Sequence, residues 1–200
     1  FHCWEPLDTL VLSKGHAATA LYSVLAVAGD VSQTDLLDQY YKDGTLFSAH
    51  PPPNKIPGIP FATGSLGHGA SLAAGLALGA RLKAEGMDSA PSVFCVLSDG
   101  ELNEGSTWEA FAFAAHHKLS NVVFFIDRNK LQGFGRTNDV LNMEPLAEKL
   151  LAFGLSVTTV DGHDFSSLNK GYEEVTAAAA RNKTPSLVIA ETIKGRGLPE

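Results

Sequence analysis

From Ser92 onward the chain alternates short apolar runs with helical segments, and each apolar run ends in a polar cluster. Residues 92–97, 121–126, 155–160 and 186–190 read as strands; 105–118, 145–153 and 165–181 read as helices. Continuous apolar runs separated by helices imply an α/β fold, a parallel sheet with helices on both faces. Right-handed crossovers put the C-terminal ends of all strands on one edge, where open α/β sheets bind ligands. The polar clusters fall on that edge: Ser98-Asp99-Gly100, Asp127-Arg128-Asn129, Asp161-Gly162-His163-Asp164 and Glu191-Thr192.

The first half is less regular. Residues 14–28 read as a helix, with Ser13 as its cap and Gly29 just past its end. Ser32-Gln33-Thr34-Asp35 resembles a capping start for a second helix closed by Gly44. Residues 45–64 form a long loop stiffened by Pro51, Pro52, Pro53, Pro57 and Pro60. A loop of that length in a compact domain is usually functional. Residues 65–85 read as a helix rich in Gly and Ala, which makes sense where another backbone or a ligand packs closely.

Asp99 and Asn129 follow neighbouring strands, thirty positions apart, with Leu131 just beyond. A carboxylate, an amide oxygen and a backbone carbonyl suit a hard cation such as Mg²⁺, which keeps open positions for a diphosphate. Gly100 lets backbone approach a phosphate. Taken singly, each polar residue is equally an ordinary turn residue after a strand. His16, His50 and His68 sit in loops or at helix starts, where imidazoles can move protons near neutral pH. Glu104 and Glu109 flank a helix start, either favouring its N-terminal dipole or forming a carboxylate network at a subunit contact. Lys194-Gly195-Arg196-Gly197 reads as a solvated basic loop or a cover for a diphosphate.

The net charge of −7, with no basic stripe, excludes nucleic acid as a natural partner. No apolar run reaches the roughly eighteen residues of a membrane span. Cys3 and Cys95 lie far apart, a pattern of reduced thiols in a cytoplasmic protein. Mean hydropathy of +0.03 points to a buried interface. The chain opens at Phe1, and its first residues do not read as a signal peptide, so none is expected. It is read as one domain, residues 1–200, partial at both ends.

Several motifs together resemble the N-terminal region of the transketolase family. They are S-K-G-H-A at Ser13–Ala17, A-H-P at Ala49–Pro51, and P-G-I-P-F-A-T-G-S-L-G-H-G at Pro57–Gly69. To these are added S-D-G-E-L-N-E-G-S-T-W-E-A at Ser98–Ala110, D-R-N at Asp127–Asn129, and K-G-R-G near the end. They run in order along nearly the whole chain, and the likeness is greatest to the separate N-terminal subunits of split transketolases. The resemblance implies the thiamin-diphosphate-binding fold, diphosphate-binding domain. It implies thiamine diphosphate with Mg²⁺ (Ca²⁺ or Mn²⁺ as alternatives), held against a pyrimidine-binding domain or subunit in a dimer or heterotetramer. The implied metal ligands are Asp99, Asn129 and the Leu131 carbonyl. Ser98, Gly100 and His16 match positions around the diphosphate, and Gly64 and Leu66 match backbone contacts to the aminopyrimidine. His50 and His68 match the substrate channel; Glu104 and Glu109 match an acidic network at the dimer interface.

The implied reaction moves a two-carbon ketol unit from a ketose or ketose phosphate to an aldehyde, with the cofactor ring as electron sink. His16 and His50 would shuttle protons and His68 would help select the donor. Ser98 replaces the family's usual glycine before the metal aspartate, and His68 stands where glutamine is frequent. An earlier S-G-H-P element and a later histidine of the family are absent from this sequence. The carboxylate that protonates the pyrimidine ring comes from the other domain, so the chain is expected to be active only with that partner. Competing readings are another thiamine-diphosphate enzyme (deoxyxylulose-phosphate synthase-like or 2-oxo acid dehydrogenase-like), a non-catalytic assembly subunit, and a plain nucleotide-binding module.

Overall fold

The computed structural model describes residues 8–84 and 90–197. Five parallel strands form the main sheet: β1 (Thr9–Leu12), β2 (Val93–Ser98), β3 (Val122–Arg128), β6 (Ser156–Asp161) and β7 (Ser186–Glu191), in the order β1-β2-β3-β7-β6. A hairpin of β4 (Leu131–Gln132) and β5 (Gly135–Arg136) follows β3. The helices are α1 (Ala18–Ala28), α2 (Gln33–Gln39), α3 (Gly69–Lys83), α4 (Gly105–His116), α5 (Thr137–Leu141), α6 (Leu146–Ala152) and α7 (Phe165–Asn182).

Alternation along the strands divides the core between the two sheet faces. Cys95, Leu97, Phe124, Ile126, Leu187 and Ile189 join Ala73, Ala77, Phe111, Ala114 and Leu150 of α3, α4 and α6. Val160, Val188 and Ala190 face the other way and pack with Val175 of α7. A satellite core under α1 is completed by Phe47, Ile56 and Ile59 of the Pro-rich loop, which explains how so long a segment stays ordered without helix or strand. Cys95 is buried and free, whereas Cys3 lies outside the described residues. Among the described residues no helix is long and apolar enough to cross a membrane.

The expected strands and helices after Ser92 are present, with ends shifted by one or two residues. The β4–β5 hairpin and α5 fall where no element was expected, and other features differ as well. β1 was not anticipated: it is four residues long, and its Leu10-Val11-Leu12 run merges with the helical pattern that follows. Ser13 does not cap a helix; residues 15–17 form a 3₁₀ turn before α1, and the Ser13 hydroxyl is used elsewhere. The second helix ends at Gln39 rather than near Gly44, although Ser32 does cap it by accepting from the Asp35 N–H at 3.2 Å. The small-residue helix starts at Gly69 rather than Ser65, because Gly67 has φ of +85° and cannot lie in a right-handed helix. Its anticipated last residue, Glu85, lies outside the described residues.

Arg128 at the end of β3 pairs with Glu191 on β7 and with Glu144 before α6. Burial would push the Glu144 carboxyl up, but the Leu146 N–H and the Arg128 guanidinium outweigh it and hold the group below its ordinary value. A depressed carboxyl contributes stability above its unfolded pKa and loses it as pH falls through the folded value. Glu144→Gln is therefore expected to flatten the acid side of the stability profile, read as a smaller fall in Tm between neutral pH and about pH 3.

Candidate active site

The C-terminal edge of the sheet collects the polar residues. Strands β2 and β3 are paired through Ser98 and Asp127, and the Asp99 N–H donates to the Asp127 carbonyl at 3.1 Å, so the loops after these strands leave side by side. Asp99 is 6% exposed. Its Oδ1 accepts from the Gly100 N–H at 2.9 Å and its Oδ2 from the Lys130 N–H at 2.6 Å. The second bond ties Asp99 to the residue next to Asn129. The Asn129 Oδ1 accepts from the Leu131 N–H at 3.0 Å, closing a tight turn at the start of the β4–β5 hairpin. Gly100 is needed for close packing: a Cβ there would lie 2.8 Å from the Gln132 Cβ of that hairpin.

Burial raises the Asp99 carboxyl above its ordinary value, helped by the nearby Asp127 charge and opposed by its two backbone donors and Lys14. Among the described residues no lysine, arginine or histidine forms an ion pair with Asp99. A nearly buried carboxylate bonded to the residue between Asn129 and Leu131 is the kind of oxygen donor a hard divalent cation takes. No group of three or more His, Cys, Asp or Glu among the described residues could hold a metal. A metal here would rely on the mixed carboxylate, amide and carbonyl set.

Asp127 was not anticipated as a site residue. Its carboxylate accepts from the Lys14 ammonium, from the Thr192 hydroxyl, and from Asn129 Nδ2 at 3.4 Å. It thus joins the loops that follow β1, β3 and β7. Burial opposes its ionisation, but the Lys14 and Thr192 hydrogen bonds and the Lys14 charge prevail and hold its carboxyl low. By accepting from the Asn129 amide nitrogen, Asp127 orients that amide, whose oxygen accepts from the Leu131 N–H.

The histidines divide into two groups. The His50 ring lies against Gly64, where a Cβ would come within 3.1 Å of its Cδ2. His16, on the 3₁₀ turn, is exposed; partial burial and the neighbouring Lys14, Lys194 and His50 lower its pKa. The cations close to His16 make this end of the edge attractive to an anion. His68 stands at the start of α3 with Nδ1 3.2 Å from the Ser65 carbonyl and 3.3 Å from that of Leu66. Gly67, between Leu66 and His68, packs against Glu104 and Ser106, whose hydroxyl donates to the Gly67 carbonyl at 2.8 Å. Glu104 is exposed and makes no side-chain cap for α4. Glu109 is also exposed, further along α4, and lines a cavity of about 280 Å³ with Ser71, Gly75 and Phe113. His16, His50 and Gly64 therefore form one cluster, Ser98, Asp99, Gly100, Asn129 and Leu131 a second, and Leu66, His68 and Glu104 a third; Glu109 belongs to none of them.

The sequence matches the family model described as transketolase, thiamine diphosphate binding domain, over residues 2–200. It is 38% identical over 195 residues to the 6-deoxy-6-sulfo-D-fructose transketolase subunit SqwG of Clostridium sp. (strain MSTE9), covering 97% of this chain and 68% of that protein. It is 39% identical over 191 residues to an apulose-4-phosphate transketolase subunit of Actinobacillus succinogenes, covering 96% and 66%. The crystal structure of transketolase from Campylobacter jejuni superposes with a TM-score of 0.83 at 34% identity, over 96% of this chain and 30% of that one. The chain thus spans about two thirds of the two subunits and less than a third of the longer enzyme.

Proposed function

This chain belongs to the transketolase family, as its thiamine diphosphate binding domain, and from that premise we propose that it forms the cofactor-holding half of a ketol-transferring enzyme. The observation that carries the proposal is the meeting of Asp99 with the Asn129 loop at adjacent strand ends, around a nearly buried carboxylate that has no ion-pair partner among the described residues. Asp99, the Asn129 amide oxygen and the Leu131 carbonyl hold Mg²⁺. Ser98, Gly100 and His16 lie beside the diphosphate, and the backbone of Gly64 and Leu66 meets the aminopyrimidine. When bound, thiamine diphosphate supplies a nucleophilic carbon and an electron sink.

The chain's own residues position and protonate. His16 and His50, brought together beside Gly64, hold and move protons at the substrate oxygens. His68, at the start of α3, contributes to donor selection. Glu104 and Glu109 face a pyrimidine-binding partner, without which the site is incomplete. The whole of residues 1–200 acts as one domain of a larger cytoplasmic assembly, a dimer or heterotetramer. The two relatives are named for a sulfonated ketose and a ketose phosphate, which supports a ketose with an anionic tail as donor.

Titration calorimetry with thiamine diphosphate and Mg²⁺, with and without the partner chain, tests this reading. Binding by the pair, and turnover of ketose phosphates in preference to pyruvate, is the expected result. Binding of ATP or NAD in place of thiamine diphosphate, or no ketol transfer by the assembled pair, would overturn it.

A further inference from the structure

Glu101 is fully buried, and none of the chemistry described above uses it. Its Oε1 accepts from the Ser13 hydroxyl and from the Gly67 N–H at 2.8 Å, and its Oε2 accepts from the Ser98 N–H at 3.4 Å. The Ser13 oxygen in turn accepts from the Gly69 N–H at 3.1 Å, which directs the hydroxyl proton toward Glu101. Each partner adjoins a different segment of the site. Ser13 leads into Lys14 and His16, Gly67 separates Leu66 from His68, and Ser98 precedes Asp99.

Such a carboxylate is costly. Among the described residues no lysine or arginine forms an ion pair with it, and its hydrogen bonds, with a smaller contribution from the Lys14 charge, are what offset its burial. An apolar side chain of similar size would pack here without that cost. Nor is capping of the 3₁₀ turn Gly100–Asn103, in which it lies, a sufficient explanation, because two of its three side-chain bonds reach the segments at Ser13 and Gly67. Those loops are in backbone contact at this point: a Cβ on Gly69 would lie 2.2 Å from the Ser13 hydroxyl oxygen and 2.7 Å from its Cα.

We propose that Glu101 is a positioning residue, a clasp that keeps the three cofactor-bearing loops in one arrangement and so sets thiamine diphosphate affinity without touching the cofactor. This rests on the function proposed above. Preorganising several loops before binding removes an ordering cost that the ligand would otherwise meet. The clasp therefore acts on binding rather than on the chemical step.

The test uses the complex with the pyrimidine-binding partner. Glu101→Gln keeps one acceptor oxygen but puts an NH₂ where a carboxylate oxygen accepted, so at least one bond is lost. Ser13→Ala removes the bridging hydroxyl with little change in volume, and decides the matter if the first variant does not fold. By calorimetry in excess Mg²⁺, the dissociation constant for thiamine diphosphate should rise about tenfold in Glu101→Gln and less in Ser13→Ala, while kcat at saturating cofactor stays near wild type. Without cofactor, the Gly67 and Gly69 amides should exchange hydrogen faster in both variants. Wild-type affinity in both variants, or a loss confined to kcat at saturating cofactor, overturns the proposal. A wild-type complex that binds no thiamine diphosphate refutes the function instead, and the amide exchange then still reports whether the clasp orders the loops.

Discussion

Replacing Asp99 by alanine is expected to eliminate Mg²⁺-dependent binding of thiamine diphosphate and, with it, ketol transfer by the assembled enzyme. Asp99 is the only proposed metal ligand that carries a charge, and its burial means that water cannot replace its contribution. Loss of an outer-shell partner costs metal sites about 10–100-fold, so loss of a ligand should cost at least about 100-fold in cofactor affinity. Alanine also removes the acceptor of the Gly100 and Lys130 N–H groups, at about 1–3 kcal/mol for the buried Gly100 group left unpaired. Asp99→Asn separates the two effects. It keeps the shape but sets an NH₂ against one of the two N–H donors, so thermal unfolding should fall less than in the alanine variant while calorimetry finds no tight thiamine diphosphate binding. Wild-type affinity and turnover in either variant would remove the metal assignment.

Gly15→Ala should damage the fold at the same edge. A Cβ on Gly15 would lie 2.5 Å from the Thr63 carbonyl oxygen, 2.7 Å from its carbon and 2.9 Å from the Gly64 nitrogen. All three are backbone atoms, so no side chain can rotate away. Overpacking of this kind costs about 3 kcal/mol, which for a domain of this length lowers Tm by about 6–12 °C. The strain falls on Gly64 and on the turn carrying His16, so cofactor affinity should fall with stability. Gly79→Ala is the control: it is a helical glycine with nothing within 4 Å of the added carbon, and helix propensity predicts a stabilised α3. Equal Tm values for wild type and Gly15→Ala would show that the two loops are not in contact.

Strands β2, β3, β6 and β7, and helices α4, α6 and α7, follow from local pattern, because apolar runs and helical periodicity are properties of a few adjacent residues. The same pattern predicts which loops share the ligand edge, since every crossover in a parallel sheet has one hand. Asp99 and Asn129 were therefore identifiable as neighbours before any coordinates. β1 was not: four residues beside a helical segment carry too little periodicity to stand out. Yet its position beside β2 brings Ser13 and Lys14 into the site.

Residue types, their order and the spacing of the motifs determine the fold class, the ligand edge and the family. Only the tertiary structure decides the pairings across that edge. Lys14 with Asp127 and Ser13 with Glu101 are separated by 113 and 88 positions. No local regularity encodes a contact at such distances. It arises when the sheet order β1-β2-β3-β7-β6 sets the loops beside one another and burial forces each polar atom to find a partner.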